Sequence, residues 1–587
     1  MKNNKYIFPT YLILLVVISV TSCRKLDEYN PSGSTAEAVW NTPEGILTLV
    51  NGCYADQRNF YGKEDAILMM EAGTDLWFNA NKANFANQLT RYEGFTSASS
   101  GTSRNTFTTL YKALNLCNSG IQRIQHVDYP AIAERNMREG EMRYMRAFYL
   151  WHIVEFYGGV NLRTTETQGA ELTAVRSPVS AFYDTIFADL ELAKEYLPAT
   201  WGNTASSEFS RATKKAALGL LARAALTRAY YSTGAEAQTF YTKARDAAKE
   251  VIDRKVELKV ELWPDYADLW LPANNKKIGR DNGEALYTIS NSAVNTTSNY
   301  DNNANRMHMW YLTQYSGKIA GLVQSLEYGN DGQRRLMPTR TLLDYFDETI
   351  DNRYNGSFQE VWLANANYTW TASDATKYGK NASVIGKTVR TGIDTMMLVT
   401  KRPVSDKALR PYLVFDRDST YRASTGVIYG PDNFVALKKF AFPTRTTANA
   451  QPGFNDIFVI RFAEMYLIAA EAEMQLGNRA AAAGYINVIR TRAARKTPVN
   501  QTAAMQVTAN DITPDFILAE RAREFAGEHM RWFDVKRMKN NNNFASFIKT
   551  TNPDITAVQD YHRLRPVPQE ELDALLNKAE FGQNPGY

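Results

Sequence analysis

The sequence predicts a mainly α-helical protein: a tetratricopeptide-like scaffold of helical repeats that carries a loop-rich, mixed α/β insertion. Three observations predict it. First, Asp456–Glu473 is apolar almost all round, with Val459, Phe462, Met465, Tyr466, Ala469, Ala470 and Ala472 at three- and four-residue spacing, as in a helix inside a core. Gly477 breaks that pattern, and an alanine-rich stretch from Arg479 to Arg495 supplies the second arm of a hairpin. Second, the same small-residue packing returns at Ala216–Ala229 and Ala244–Ala248, so hairpins repeat along the chain. Third, from 256 to 452 turn signals multiply and asparagine and aromatic residues cluster, as in Asn299-Tyr300-Asp301-Asn302-Asn303.

Taken in order, residues 1–22 read as a leader. Lys2 and Lys5 give a positive start, and the apolar run Tyr11–Val20 is too short to span a bilayer comfortably. It ends in Val20-Thr21-Ser22-Cys23, a small residue before a cysteine, like a bacterial lipobox; lipid on Cys23 is expected to anchor the mature chain. Residues 23–41 form a polar tether containing Pro31-Ser32-Gly33. Thr42-Pro43-Glu44-Gly45 starts the first helix of an N-terminal helical region, 42–255, because proline fits the first turn of a helix. A further helix is expected to end near Ala72. From Asp75 to Gly101 no helical period persists, and a loop that long in a compact chain is functional or disordered. Helices are then expected at about Ser103–Gln125, Glu134–Phe156, Val179–Leu197, Arg211–Tyr231 and Thr239–Arg254, with Gly158 and Gly159 stopping the second. The insertion occupies 256–452, and a C-terminal helical region follows at 453–587.

The chain has 587 residues, enough for several domains or one large array. Without Lys2 and Lys5, 65 basic residues face 62 acidic ones, a net charge of +3 that gives no case for nucleic acid. The 33 Tyr, 27 Phe and 10 Trp can fill a core, and also suit flat sugar faces or bulky peptide side chains. With three cysteines no disulfide framework is needed; Cys53 and Cys117 leave two readings open, a pair or two buried thiols.

No catalytic constellation emerges. Gly386-Lys387-Thr388 lacks the earlier glycine of a phosphate loop, where Asn381 stands, and there is no Gly-x-Ser-x-Gly elbow. The histidines at 126, 152, 308, 529 and 562 have no metal-ligand spacing, so no metal and no cofactor are expected. Arg461, Glu464 and Glu471 are embedded in the apolar stretch, at spacings that would let them share one side of a helix. Together with the 520–537 block, where Glu520, Arg523, Glu524, Arg531 and Asp534 alternate in sign, they read as a structural ion-pair cluster, since a buried charge must be paired.

Several stretches, in this order, resemble the SusD/RagB family of outer-membrane nutrient-binding lipoproteins of Bacteroidetes. Residues 461–472, R-F-A-E-M-Y-L-I-A-A-E-A, are similar to the family's R-Y-A-E-M-L-L-I-x-A-E-A. Glu141 to Val160, with Arg146-Ala147-Phe148-Tyr149 and Tyr157-Gly158-Gly159-Val160, resembles a second signature, although Asn161 replaces the usual proline. Residues 520–537 resemble E-R-x-R-E-L-x-x-E-G-x-R-W-x-D-L-x-R, with His529 in place of a common glycine. Arg565-Pro566-Val567-Pro568 and the terminal Asn584-Pro585-Gly586-Tyr587 are close to its usual ending. Thr341–Phe346, Asp351-Asn352-Arg353 and Asn433–Phe440 also resemble family stretches.

The resemblance implies a lipoprotein on the outer face of the outer membrane. It would act as a lid over a SusC-like TonB-dependent transporter, capturing an oligosaccharide, or a peptide as RagB-like members do, and delivering it without cleavage. It places an aromatic arc on the loop after the second helix and on the insertion. The matching positions are Trp77, Phe78 and Tyr92, then Trp310, Tyr311 and Tyr315, with Asp75 and Asn79 as polar companions. A helical-repeat scaffold that binds partner proteins and no small ligand is the competing reading.

Overall fold

The computed structural model describes residues 39–80, 84–201, 210–292 and 305–587. The leader, Cys23, most of the tether and Asn299–Asn303 lie outside the described residues.

Helix α1 spans Pro43–Ala55, with the Thr42 side chain accepting from the Gly45 amide and proline in the first turn. A short α2, Glu64–Met70, follows. The array proper is α3 (Gly101–Arg123), α4 (Ile132–Tyr157), α5 (Val179–Tyr196), α6 (Lys214–Ala229) and α7 (Gly234–Asp253), each packed on the next. α4 stops at Gly158, whose φ of 71° is open to glycine and strained for other residues. α7 then packs on α8 (Phe462–Gln475), and α8 on α9 (Arg479–Ala493), so the chain leaves the array after α7 and rejoins it after the insertion. α10 (Pro514–Phe525) and α11 (Arg531–Met538) complete the C-terminal block.

Strands are short. β1 (Trp77–Asn79) pairs antiparallel with β3 (Leu336–Pro338), and β2 (Ala285–Ile289) with β7 (Ile457–Arg461). Within the insertion, β4 (Val361–Leu363), β5 (Thr395–Val399) and β6 (Leu413–Phe415) form a three-stranded sheet, antiparallel then parallel. The β2–β7 pair ties the two ends of the insertion together over α6. Gly219 of α6 permits that approach: a Cβ there would lie 2.8 Å from Leu286 Cδ2 and 3.1 Å from Ile460 Cγ2.

The helix expected over Asp456–Glu473 therefore begins as a strand. Ile457–Arg461 is extended, paired with β2 and fully buried, and α8 begins only at Phe462. An apolar run buried on both faces carries no period that separates strand from helix, and Ile457, Val459 and Ile460 are β-branched. Arg461 thus ends a strand and does not share a helix face with Glu464. Among the described residues no helix is long and apolar enough to cross a membrane. Cys53 and Cys117 are free, buried thiols.

Candidate functional site

The loop after α2, the insertion and the C-terminal block meet at one junction, and the residues singled out in the sequence are built into it. Trp77, Phe78, Tyr92, Trp310, Tyr311 and Tyr315 are all at most 5 % exposed, and Asp75 and Asn79 are fully buried. Trp77 Nε1 donates to Glu71 Oε2 at 2.7 Å, and its ring lies edge-on to Tyr311 with centroids 5.0 Å apart. The Tyr92 hydroxyl donates to the Gly73 carbonyl at 2.8 Å, and its ring stacks on His562. The Tyr311 hydroxyl donates to the Gly527 carbonyl, and the Tyr315 hydroxyl to that of Gly329. Asp75 accepts from Arg531 Nε at 2.8 Å, while Asn79 Nδ2 makes a long contact with Thr90. These side chains cannot offer a face to a ligand. The loop docks through a strand, β1 on β3, and its aromatics are used as packing. The open arc expected of them is corrected to a buried wall.

The embedded charges are matched to one another. Arg461 donates to Glu528 at 2.7 Å, to Glu524 at 3.0 Å and to Glu284. Arg353 reaches Asp351 at 2.7 Å, Glu520 at 2.9 Å and Glu524 at 3.3 Å. Arg223 holds Glu464 at 2.6 Å, Arg537 holds Glu471 at 2.9 Å, and Arg521 holds Asp534 at 2.8 Å. Arg523 holds Glu520 at 2.5 Å. Burial raises the Glu524 carboxyl, but Arg492, Arg461 and Arg353 outweigh it and hold the group down to about 2. Such a network neutralises itself and leaves no acid or base free for chemistry. Glu284, Arg223 and Arg492 belong to it and are invisible in the sequence, where each stands alone among uncharged neighbours or far from its partner.

Further cations lie at the edge of the buried wall. Arg58 lies on the short helix Gln57–Phe60, and Lys63 follows two turns of chain later. Arg306 is fastened beside them, its amide donating to the Gly62 carbonyl at 2.9 Å. Gly62, with φ of 75°, lets the two segments touch: a Cβ there would lie 2.6 Å from Ile457 Cδ1 and 3.3 Å from Asn305 Cα. Near these cations several buried polar atoms have no protein partner, among them Arg58 Nε, Arg306 Nε, His308 Nε2 and Arg445 Nε, as do others elsewhere such as Trp151 Nε1 and Arg565 Nη1. His308, Trp310 and Arg445 are each at least nine-tenths buried. A buried donor left unmatched costs free energy and calls for an explanation. A cavity of 470 Å³ between α6 and α11, flanked by Tyr231, Tyr561, Asn540 and Arg563, lies elsewhere on the scaffold.

A family model described as the SusD family matches residues 284–587, and one described as starch-binding, associating with outer membrane, matches 26–226. The chain belongs to the SusD family. SusD-like protein P2 of Formosa agariphila is 25 % identical over 593 residues, covering 98 % of this chain and 99 % of that protein. Among solved structures of the SusD fold, surface glycan-binding protein A from Bacteroides fluxus superposes with a TM-score of 0.64 at 17 % identity, over 93 % of this chain and 99 % of that one. A laminarin-binding SusD-like protein gives 0.62 at 16 % identity, over 93 % and 100 %. In this SusD-family chain the two family matches together span most of the helical array, the insertion and the C-terminal block. The second family model is named for starch binding in association with the outer membrane, and the two solved neighbours are named for binding a surface glycan and laminarin.

Proposed function

We propose that this chain is a cell-surface lipoprotein, anchored through lipid on Cys23, that captures an oligosaccharide at the rim described above. It hands the ligand to a SusC-like TonB-dependent transporter without cleaving it. The observation that supports this site is the placing of partly exposed Arg58 and Arg306 beside buried polar atoms without a protein partner on His308 and Arg445. Sugar hydroxyls and ring oxygens accept such hydrogen bonds, and a few convergent polar groups over an apolar wall are what orients a small ligand.

Isothermal titration of the purified mature protein against oligosaccharides and peptide pools tests the reading. Arg306→Gln removes a partly exposed guanidinium on the rim and keeps a polar side chain. It is expected to weaken glycan binding about tenfold, the worth of one hydrogen bond in a desolvated site. Tight binding of peptides alone, or release of reducing ends from a polysaccharide, overturns the proposal. Cys23→Ser is expected to move the protein from the membrane fraction to the soluble one, read by fractionation and immunoblot; retention in the membrane overturns the lipid anchor.

A further inference from the structure

Aromatic rings that could meet a sugar are scarce on this surface. Among the described residues the three most exposed aromatic side chains are Tyr429, Tyr231 and Tyr561, at 50, 41 and 36 %. The Arg422 guanidinium lies over the Tyr429 ring at 5.5 Å. The other two line one cavity, the 470 Å³ space between α6 and α11. Tyr231 follows the end of α6, and Tyr561 stands on the turn Asp560–Arg563, so segments 330 residues apart in sequence bring them together. Both are fixed before any ligand arrives. The Tyr231 hydroxyl is hydrogen-bonded to Glu155, and Lys536 Nζ lies over its ring at 5.6 Å. Tyr561 is backed by Gly586, where a Cβ would overlap the ring, and stands edge-on to Tyr587 with centroids 5.0 Å apart. The charges around the cavity are balanced. Lys536, 6 % exposed, donates to Glu155, 1 % exposed, at 3.0 Å. Arg537 is held by Glu471 and Asp534, and Arg563 shares a turn with Asp560. Two amides add neutral polarity: Asn540, whose Nδ2 donates to the Tyr230 carbonyl at 3.0 Å, and the exposed Asn542.

We infer that this cavity is a second carbohydrate site, separate from the rim, that takes a neutral sugar unit against Tyr231 and Tyr561. The inference rests on the glycan-binding reading and adds to it a site and a charge class. A pyranose ring has an apolar C–H face and a polar edge of hydroxyls. The tyrosine rings suit the face, and the Asn540 and Asn542 amides, which both donate and accept, suit the edge. The cavity volume falls within the roughly 300–1,000 Å³ range of small-molecule sites, and an apolar lining with a few placed polar groups is their usual make-up. An anionic ligand gains little here, since the Lys536 ammonium is already committed to Glu155 and Arg537 to two carboxylates. Because the rings are held by Glu155 and Gly586, little side-chain freedom is lost on binding.

The test titrates the mature protein with laminarihexaose, maltohexaose and xylohexaose, and maps each complex by hydroxyl-radical footprinting read by mass spectrometry. At least one of the three is expected to protect Tyr231 and Tyr561 from oxidation. Tyr231→Ala and Tyr561→Ala are each expected to weaken binding of that ligand at the cavity at least about tenfold. Arg306→Gln should leave the cavity untouched. Tyr231→Phe should keep most of the affinity, because the ring and not the hydroxyl meets the sugar. Footprinting uses the unaltered protein, so it decides the matter even if an alanine variant folds poorly. If none of the three protects the two rings, the cavity is not a neutral-sugar site. If a hexasaccharide binds but the rings stay unprotected and only Arg306→Gln weakens it, the second site is wrong and glycan capture at the rim stands. If no glycan binds and peptides do, the underlying reading falls and takes the second site with it.

Discussion

Arg461→Met is expected to lower folding stability by about 3–5 kcal/mol, read as a shift of the urea midpoint, and to leave part of the protein insoluble. The Arg461 side chain is 1 % exposed and is the shared counter-charge of Glu284, Glu524 and Glu528. Its guanidinium also lies over the Phe525 ring at 4.8 Å. Removing it leaves Glu528 to Lys439, Glu284 to Arg492, and Glu524 to Arg492 and the more distant Arg353. The cost is that of uncompensated buried carboxylate, not the net worth of the pair, and for that reason it is large. Arg461→Lys keeps the charge but offers a single point of contact to three acids, so an intermediate loss is expected. Arg390→Met is the control: its pair with Asp394 is exposed, and the midpoint should not move. An unchanged midpoint for Arg461→Met would mean that the network does not hold β7, the C-terminal block and the insertion in register.

The same cluster shows what could be read in the chain and what could not. Arg461, Glu464 and the 520–537 block announce themselves, because charges inside an apolar run must find partners. Their partners cannot be read: Glu284 is distant in sequence from Arg461, and Arg223 from Glu464. The array was legible helix by helix, since α3 to α7 and α9 each carry a clear small-residue or amphipathic period. Ile457–Arg461 was not, because a doubly buried strand and a buried helix look alike over five residues. The orientation of the aromatic side chains was not legible. Trp77, Tyr92 and Tyr311 fall where the loop and the insertion meet, yet an aromatic ring in the sequence does not say which way it faces. Arg58, Lys63 and Arg306 gave no signal. Isolated cations are ordinary on a surface, and only the fold brings these together.

Stability is expected to fall steeply as pH drops below about 6.5, by about 1.4 kcal/mol per pH unit for each histidine that must stay neutral to remain buried. His152, His308, His529 and His562 are each at most 5 % exposed, and burial above all pushes every one of them down to about 3. The sign follows from linkage. A group whose folded pKa is depressed is protonated more readily in the unfolded chain, so its contribution is present above the unfolded value of 6.5 and is lost as pH falls toward the folded one. The hydrogen bonds agree. His152 Nδ1 faces the Phe148 carbonyl at 2.8 Å, so it carries the proton, and Nε2 accepts from the Tyr61 hydroxyl at 2.9 Å. His562 Nδ1 accepts from the Gln559 amide at 2.9 Å, a bond that protonation destroys. Glu71 works in the opposite direction. Burial raises its carboxyl to about 7 despite donors from Met530, Trp77 and Arg531, so its contribution is present below 4.5 and lost as pH rises toward 7. Near pH 5.5 the histidines outnumber it, and unfolding should take up roughly three protons net. Urea titrations across this range measure that number as the slope of stability against pH. His562→Asn keeps an acceptor for the Gln559 amide without a titrating ring, and should lower the proton uptake by about one, whereas Glu71→Gln should raise it by about one. A flat profile between pH 5 and 6.5 would mean that these rings are protonated in the fold, and that the core around α4 is wetter than its packing implies.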